Sequence, residues 1–205
     1  MPVINDIVLY LPTHPTKVYS KRDVKDIDSI VVHQTDTDDK GTFHPYDTAR
    51  YHVNQNGWAG IGYHYYIIDD GTIFKTNEPY TISAHAREWN NRSLGITITG
   101  KHRLDINKEN EEIIPSKQYK ALIWTLAKLQ MKYPKAKTIL SHGELQSNRS
   151  DPNLHMEELK SDVKKKDNSV YTKGRLNFII GGFNSLFRKK LEEIKEEFDY
   201  NNFVN

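Results

Sequence analysis

The sequence predicts an α/β domain, a central β-sheet flanked by helices, followed by a C-terminal amphipathic helical extension. Three observations predict it. Short runs rich in β-branched and aromatic residues are bounded by turn formers. One long stretch of helical periodicity falls between two of those runs, giving the strand–helix–strand order of a covered sheet. A polar, lysine-rich run then separates this pattern from a second, strongly amphipathic stretch.

In chain order, Ser29 to His33 (SIVVH) reads as a buried strand. Tyr63 to Ile68 and Thr72 to Lys75 read as a hairpin, because the intervening Asp69-Asp70-Gly71 suits the positive backbone angles of a tight turn. Ser93 to Thr99 alternates as a strand, with Gly95 permitting close approach of another group. Ser116 is the expected cap of a helix whose apolar face is Tyr119, Leu122, Ile123, Leu126 and Leu129, and Pro134 ends it. Thr138 to His142 reads as the next strand. Lys160 to Ser169 reads as a solvated boundary, dividing the chain into a domain over 1–160, a linker over 161–169 and an extension over 170–205. In that extension, apolar residues from Leu176 to Phe198 recur with helical spacing, interrupted at Gly181-Gly182. This face either packs on the domain or, over 176–198, docks a protein partner or a second copy.

The chain of 205 residues contains no cysteine, which excludes disulfide scaffolds, thiolate zinc fingers, iron–sulfur clusters and cysteine nucleophiles. Any metal must be held by His, Asp or Glu. Against 27 acidic residues stand 29 basic ones, a formal charge of +2, so nucleic acid is not the default partner. The N-terminal residues lack the basic start and apolar stretch of a secretory signal, and no segment is apolar enough to span a bilayer. Synthesis in the cytoplasm is therefore expected.

Among nine histidines, His33 and His142 each close a predicted strand, where a rigid scaffold meets solvent. Asp151 follows in the loop segment SHGELQSNRSDPN. Two imidazoles and one carboxylate suit a three-ligand zinc site with one tetrahedral position open. By spacing alone, a histidine ending a strand is more often structural or merely exposed.

The segments IDSIVVHQTDTDD, GYHYYIIDDGTIFKT, SAHAREWNNRSLGITITG and SHGELQSNRSDPN resemble, in order and approximate spacing, the type 2 N-acetylmuramoyl-L-alanine amidases. That superfamily includes amidase-type phage lysozymes and peptidoglycan recognition proteins. The resemblance covers roughly Asp28 to Leu159. It implies a mixed sheet with one catalytic zinc ion in a groove for peptidoglycan, held by His33, His142 and Asp151. It also implies hydrolysis of the amide between N-acetylmuramic acid and L-alanine by a phage or prophage lytic enzyme. Such an enzyme reaches the cell wall through a membrane lesion or in a particle. A recognition module that binds without cutting is the alternative, although members that only bind usually lack the third ligand.

The same resemblance assigns Tyr63 to the attacking water and Arg149 to a position where the family commonly has lysine. Guanidinium stabilises an oxyanion but is a poor proton donor. His85, Trp89 and Asn90 match groove residues that contact substrate; a structural role for His85 and a turn-capping role for Asn90 stay open. His64 is expected to point away from Tyr63 into a core hydrogen bond. Asn153 stands where the family has Gly, and Asn tolerates the left-handed turn.

Overall fold

A computed structural model describes residues 2–37 and 44–166. Its strands are β1 (Ile4–Asp6), β2 (Ser29–Gln34), β3 (Tyr65–Ile67), β4 (Ile73–Lys75), β5 (Ser93–Ile98) and β6 (Thr138–Ser141). They form one mixed sheet in the order β1-β4-β3-β5-β2-β6. β3 and β4 are the expected antiparallel hairpin, turning at Gly71 with φ of 86°. The other pairings are parallel, and the register sets His33 of β2 beside Thr97 of β5. Every residue of β2 and β5 is buried, which explains their nearly continuous apolar sequences.

The two sheet faces carry different layers. On one, Ile30, Val32, Ile96 and Ile98 pack with Tyr119, Leu122, Leu126 and Leu129 of helix α3 (Ser116–Lys132). That helix has the predicted apolar face, but Pro115 occupies the cap position. Ser116 is already the first helical residue, and its hydroxyl instead accepts a hydrogen bond from Lys120 Nζ at 2.8 Å. The short helix α2 (Asn110–Ile113) precedes it.

Helix α1 (Pro45–Asn54) belongs to the opposite side, where Ala49 clusters with Ile61 and Tyr66 and Thr48 Oγ1 lies 3.0 Å from Tyr66 Oη. The sequence reading missed this helix. Its buried residues are Pro45, Thr48, Ala49, His52 and Val53, too small and polar to produce a clear apolar stripe.

Past the short helix α4 (His142–Leu145), residues 156–166 form a further helix, α5. Here the expected linker over 161–169 is corrected over 161–166. Leu159 and Val163, one helical turn apart, are buried in the main core, so the exposed Lys164, Lys165 and Lys166 lie on the solvated side of a packed helix. Met1–Lys166 makes one compact unit. The predicted extension over 170–205 and its apolar residues from Leu176 to Phe198 lie outside the described residues. Among the described residues no helix is long and apolar enough to cross a membrane.

Candidate metal centre

Alternation along β2 sends Val32 into the main core and His33 to the face that carries α1. His142 arrives from the neighbouring strand by a different device. β6 stops at Ser141, whose hydroxyl accepts the Glu144 N–H at 3.0 Å while Glu144 Oε2 accepts the Ser141 N–H at 2.6 Å. This capping box makes His142 the first residue of α4, whereas the sequence placed it at the end of a strand. Asp151 is drawn alongside because its carbonyl accepts the Gly143 N–H at 3.1 Å. The following turn has Asn153 at φ of 55°, the left-handed conformation expected of an Asn in the place of Gly.

The three side chains converge. His33 Nδ1 lies 3.2 Å from both His142 Nδ1 and Asp151 Oδ2, and His142 Nδ1 lies 3.3 Å from Asp151 Oδ1. Tetrahedral zinc with ligand bonds of about 2.0–2.1 Å separates its ligand atoms by about 3.3 Å, and the three residues, with Asp151 reaching His33 by one oxygen and His142 by the other, come as close as neighbouring ligands of one ion. Two imidazole nitrogens and a carboxylate converge, a donor set that one cation can bridge. The donor set therefore fits zinc. His33 is only 1% exposed and His142 7%. Burial pushes the His33 imidazolium down in pKa, against the pull of Asp151. Burial raises the Asp151 carboxyl, but its bonds to His142 and His33 outweigh this and hold it below the usual carboxylate range.

The other predicted residues divide. The Tyr63 ring centroid is 5.2 Å from that of His33, and burial, reinforced by Asp151, raises its phenol pKa. Arg149 is exposed, and its charge lowers the pKa of both His33 and Tyr63. Trp89 is half-buried, with the Arg92 guanidinium 4.9 Å from the centre of its ring. His85, expected to line the groove, borders two adjoining grooves and also bonds inward. Its Nδ1 is 3.2 Å from His33 Nε2 and its Nε2 is 3.3 Å from Ser93 Oγ, so both ring nitrogens are engaged inside the protein. Burial, then the charges of His33, His64 and Arg22, press its pKa well down. Asn90 Oδ1 accepts the His85 and Ala86 N–H groups at 2.9 and 2.7 Å, the turn-capping role, while the residue also borders one of those two grooves. His64 makes the core bonds expected of it, accepting the Gly95 N–H at Nδ1 and donating from Nε2 to the Thr81 carbonyl.

Tyr63, His142, Arg149 and Asp151 border a groove of about 590 Å³, to which the sequence reading had not assigned His52 or Trp58. The His52 and Trp58 ring centroids lie 4.6 Å apart with the planes tilted by 42°, and His52 Nδ1 accepts the Gly62 N–H at 3.0 Å. Trp58 also borders an adjoining groove of about 800 Å³ that runs past Arg87 and Trp89. The signal for Trp58 was its position five residues before Tyr63, in the segment NGWAGIGY. A larger cavity of about 1010 Å³, beside residues Gly100 to Asp105, includes none of the three convergent residues.

A model of the N-acetylmuramoyl-L-alanine amidase family matches residues 23–154. Peptidoglycan-recognition protein SC2 of Drosophila melanogaster is 38% identical over 52 residues, 25% of this chain and 28% of that protein. The endolysin of Enterobacteria phage K11 is 29% identical over 99 residues, 48% of this chain and 63% of the endolysin. Both alignments span less than two thirds of those relatives. Among solved structures, the N-acetylmuramoyl-L-alanine amidase LysC from Clostridium intestinale URNW superposes with a TM-score of 0.60 and 26% identity, covering 80% of this chain and 99% of LysC. The family match takes in more than half of the chain and encloses the whole His33, His142 and Asp151 cluster, and the chain belongs to the N-acetylmuramoyl-L-alanine amidase family.

Proposed function

We propose that this protein is a zinc-dependent N-acetylmuramoyl-L-alanine amidase that cleaves the bond between N-acetylmuramic acid and the L-alanine of the stem peptide. The observation that carries this reading is the triangle of His33 Nδ1, His142 Nδ1 and Asp151 at 3.2–3.3 Å, within a family of amidases. Zinc, when bound, lowers the pKa of water to about 7 and polarises a carbonyl.

The chain's own residues supply the rest. His33, His142 and Asp151 hold the ion and leave it with a net positive charge. Tyr63 presents its phenol beside His33, positioned to orient water and the scissile amide. Arg149 stands at the same groove with a permanent positive charge for the developing oxyanion. Trp58 offers a ring face to sugar or peptide where the two grooves meet, and Trp89 lines the second. Likeness to the endolysins of phages K11 and T7 supports a phage or prophage lytic enzyme acting on the bacterial wall.

Digestion of purified peptidoglycan, followed by mass spectrometry and labelling of new L-alanine amino termini, tests the proposal. Release that stops on chelation and returns with zinc supports it. Undiminished release by metal-free protein overturns the mechanism, and binding without new termini replaces the enzyme by a recognition module.

A further inference from the structure

His33 can serve the cluster through Nδ1 only if that nitrogen carries no hydrogen. A neutral imidazole holds its single proton on either nitrogen, and which one is set by the partner of the other. Nothing within the cluster makes that choice, since Asp151 Oδ2 at 3.2 Å from Nδ1 would equally accept a proton there.

The choice is made on the far side of the ring. Ser93 Oγ lies 2.7 Å from the backbone carbonyl oxygen of Trp89, which accepts and never donates, so the hydroxyl proton is committed to that bond. Toward His85 Nε2, at 3.3 Å, the Ser93 oxygen is then an acceptor, and Nε2 must carry the hydrogen. The neutral His85 ring consequently has a bare Nδ1. That atom sits 3.2 Å from His33 Nε2, which must donate to it. His33 Nδ1 is left without hydrogen, facing His142 and Asp151.

We infer that Ser93 and His85 are positioning residues that set the tautomer of His33, through a one-way hydrogen-bond chain running from His33 Nε2–H by way of His85 and Ser93 to the Trp89 carbonyl. The geometry is closely built. Asn90 pins the backbone on either side of the His85–Ala86 peptide, and Gly95 leaves the His85 ring no spare room. Ser93 is fully buried, and its hydroxyl has no contact with the cluster itself. The inference rests on the reading of the cluster as a zinc site, but its central claim concerns the protein without metal.

Two-bond proton–nitrogen correlation spectra of the full-length, metal-free protein at neutral pH report the tautomer of each histidine ring. The expected result is hydrogen on Nε2 in both His33 and His85. In Ser93→Ala, whose retained fold is checked by its amide spectrum, His85 loses the hydroxyl acceptor and keeps only the Ser93 backbone carbonyl. Both rings are expected to become tautomer mixtures, with zinc affinity reduced by about 10- to 100-fold in chelator competition. Hydrogen on Nδ1 of His33 in the wild-type protein overturns the inference, whatever the variant does. An unchanged tautomer pattern in folded Ser93→Ala overturns the role of Ser93. The expected tautomers in a wild-type protein that binds no zinc would uphold the chain and remove the metal reading, whereas tight zinc binding with the opposite tautomer would do the reverse.

Discussion

Gly95 and His85 occupy one space: a Cβ on Gly95 would stand 2.5 Å from His85 Cγ and 2.7 Å from its Nδ1. The glycine expected to allow close approach is thus the floor on which the ring beside His33 rests. Gly95→Ala must push aside a buried ring held at both nitrogens. The expected cost is about 1–3 kcal/mol of stability in urea titration, the range of overpacked cores, accompanied by weakened zinc binding. Wild-type stability and affinity together would show that the ring has room to move.

Asn90 separates a turn cap from a substrate contact. Replacing it with Ala leaves two N–H groups, those of His85 and Ala86, without their acceptor. Stability should fall by about 1–3 kcal/mol, with KM for peptidoglycan fragments near that of the wild type. A raised KM at unchanged stability would return Asn90 to the substrate.

For Arg149, truncation to Ala should lower kcat by roughly 10²-fold or more, the scale of losing one oxyanion stabiliser. The Arg149→Lys variant should retain much of the activity, since it keeps the charge and adds a group able to give up a proton. Wild-type kinetics in Arg149→Ala would remove this residue from the reaction.

Zinc should stabilise the fold as well as the reaction. A ligand bound only by the native state at a thousand times its Kd contributes about 4 kcal/mol, or about 8–16 °C in Tm for a protein of this size. Calorimetry with zinc and with chelator reads this directly, and Asp151→Asn should abolish most of the difference. Equal Tm values under both conditions would argue against a bound ion.

His52 makes stability depend on pH without belonging to the cluster. Burial pushes its pKa down to about 4, beside the rings of Tyr51, Trp58 and Tyr63. Because the folded value lies below the unfolded 6.5, its contribution is complete above pH 6.5 and is lost as pH falls toward about 4. The slope in that window is at most about 1.4 kcal/mol per pH unit for one histidine. Urea titrations from pH 7.5 to 4.5 should show a shallower decline in His52→Gln than in the wild type; parallel curves would exclude His52 as the source.

Much of this molecule was legible in its residues. The continuous apolar run of SIVVH, the alternation in SLGITIT, the Asp-Gly turn and the apolar face of Tyr119 to Leu129 are local patterns, and local patterns persist into the structure. The absence of cysteine restricted any further metal partner of His33 and His142 to His, Asp or Glu. Helix α1 and the packed half of the lysine-rich run were hidden because their buried faces are narrow or built from small residues, and burial is a property of the neighbours.

The chain by itself determined which chemical groups stand at the site; only the tertiary structure decided what each of them does. His33 and Asp151 lie 118 positions apart yet 3.2 Å from one another, because parallel pairing of β2 with β6 and the bond from Gly143 to Asp151 fold that distance away. The same folding made the groove residue His85 also the partner of His33 and Asn90 the brace behind it. Hydrogen-bond partners are chosen by proximity in three dimensions, and a sequence records donors and acceptors without recording who meets whom.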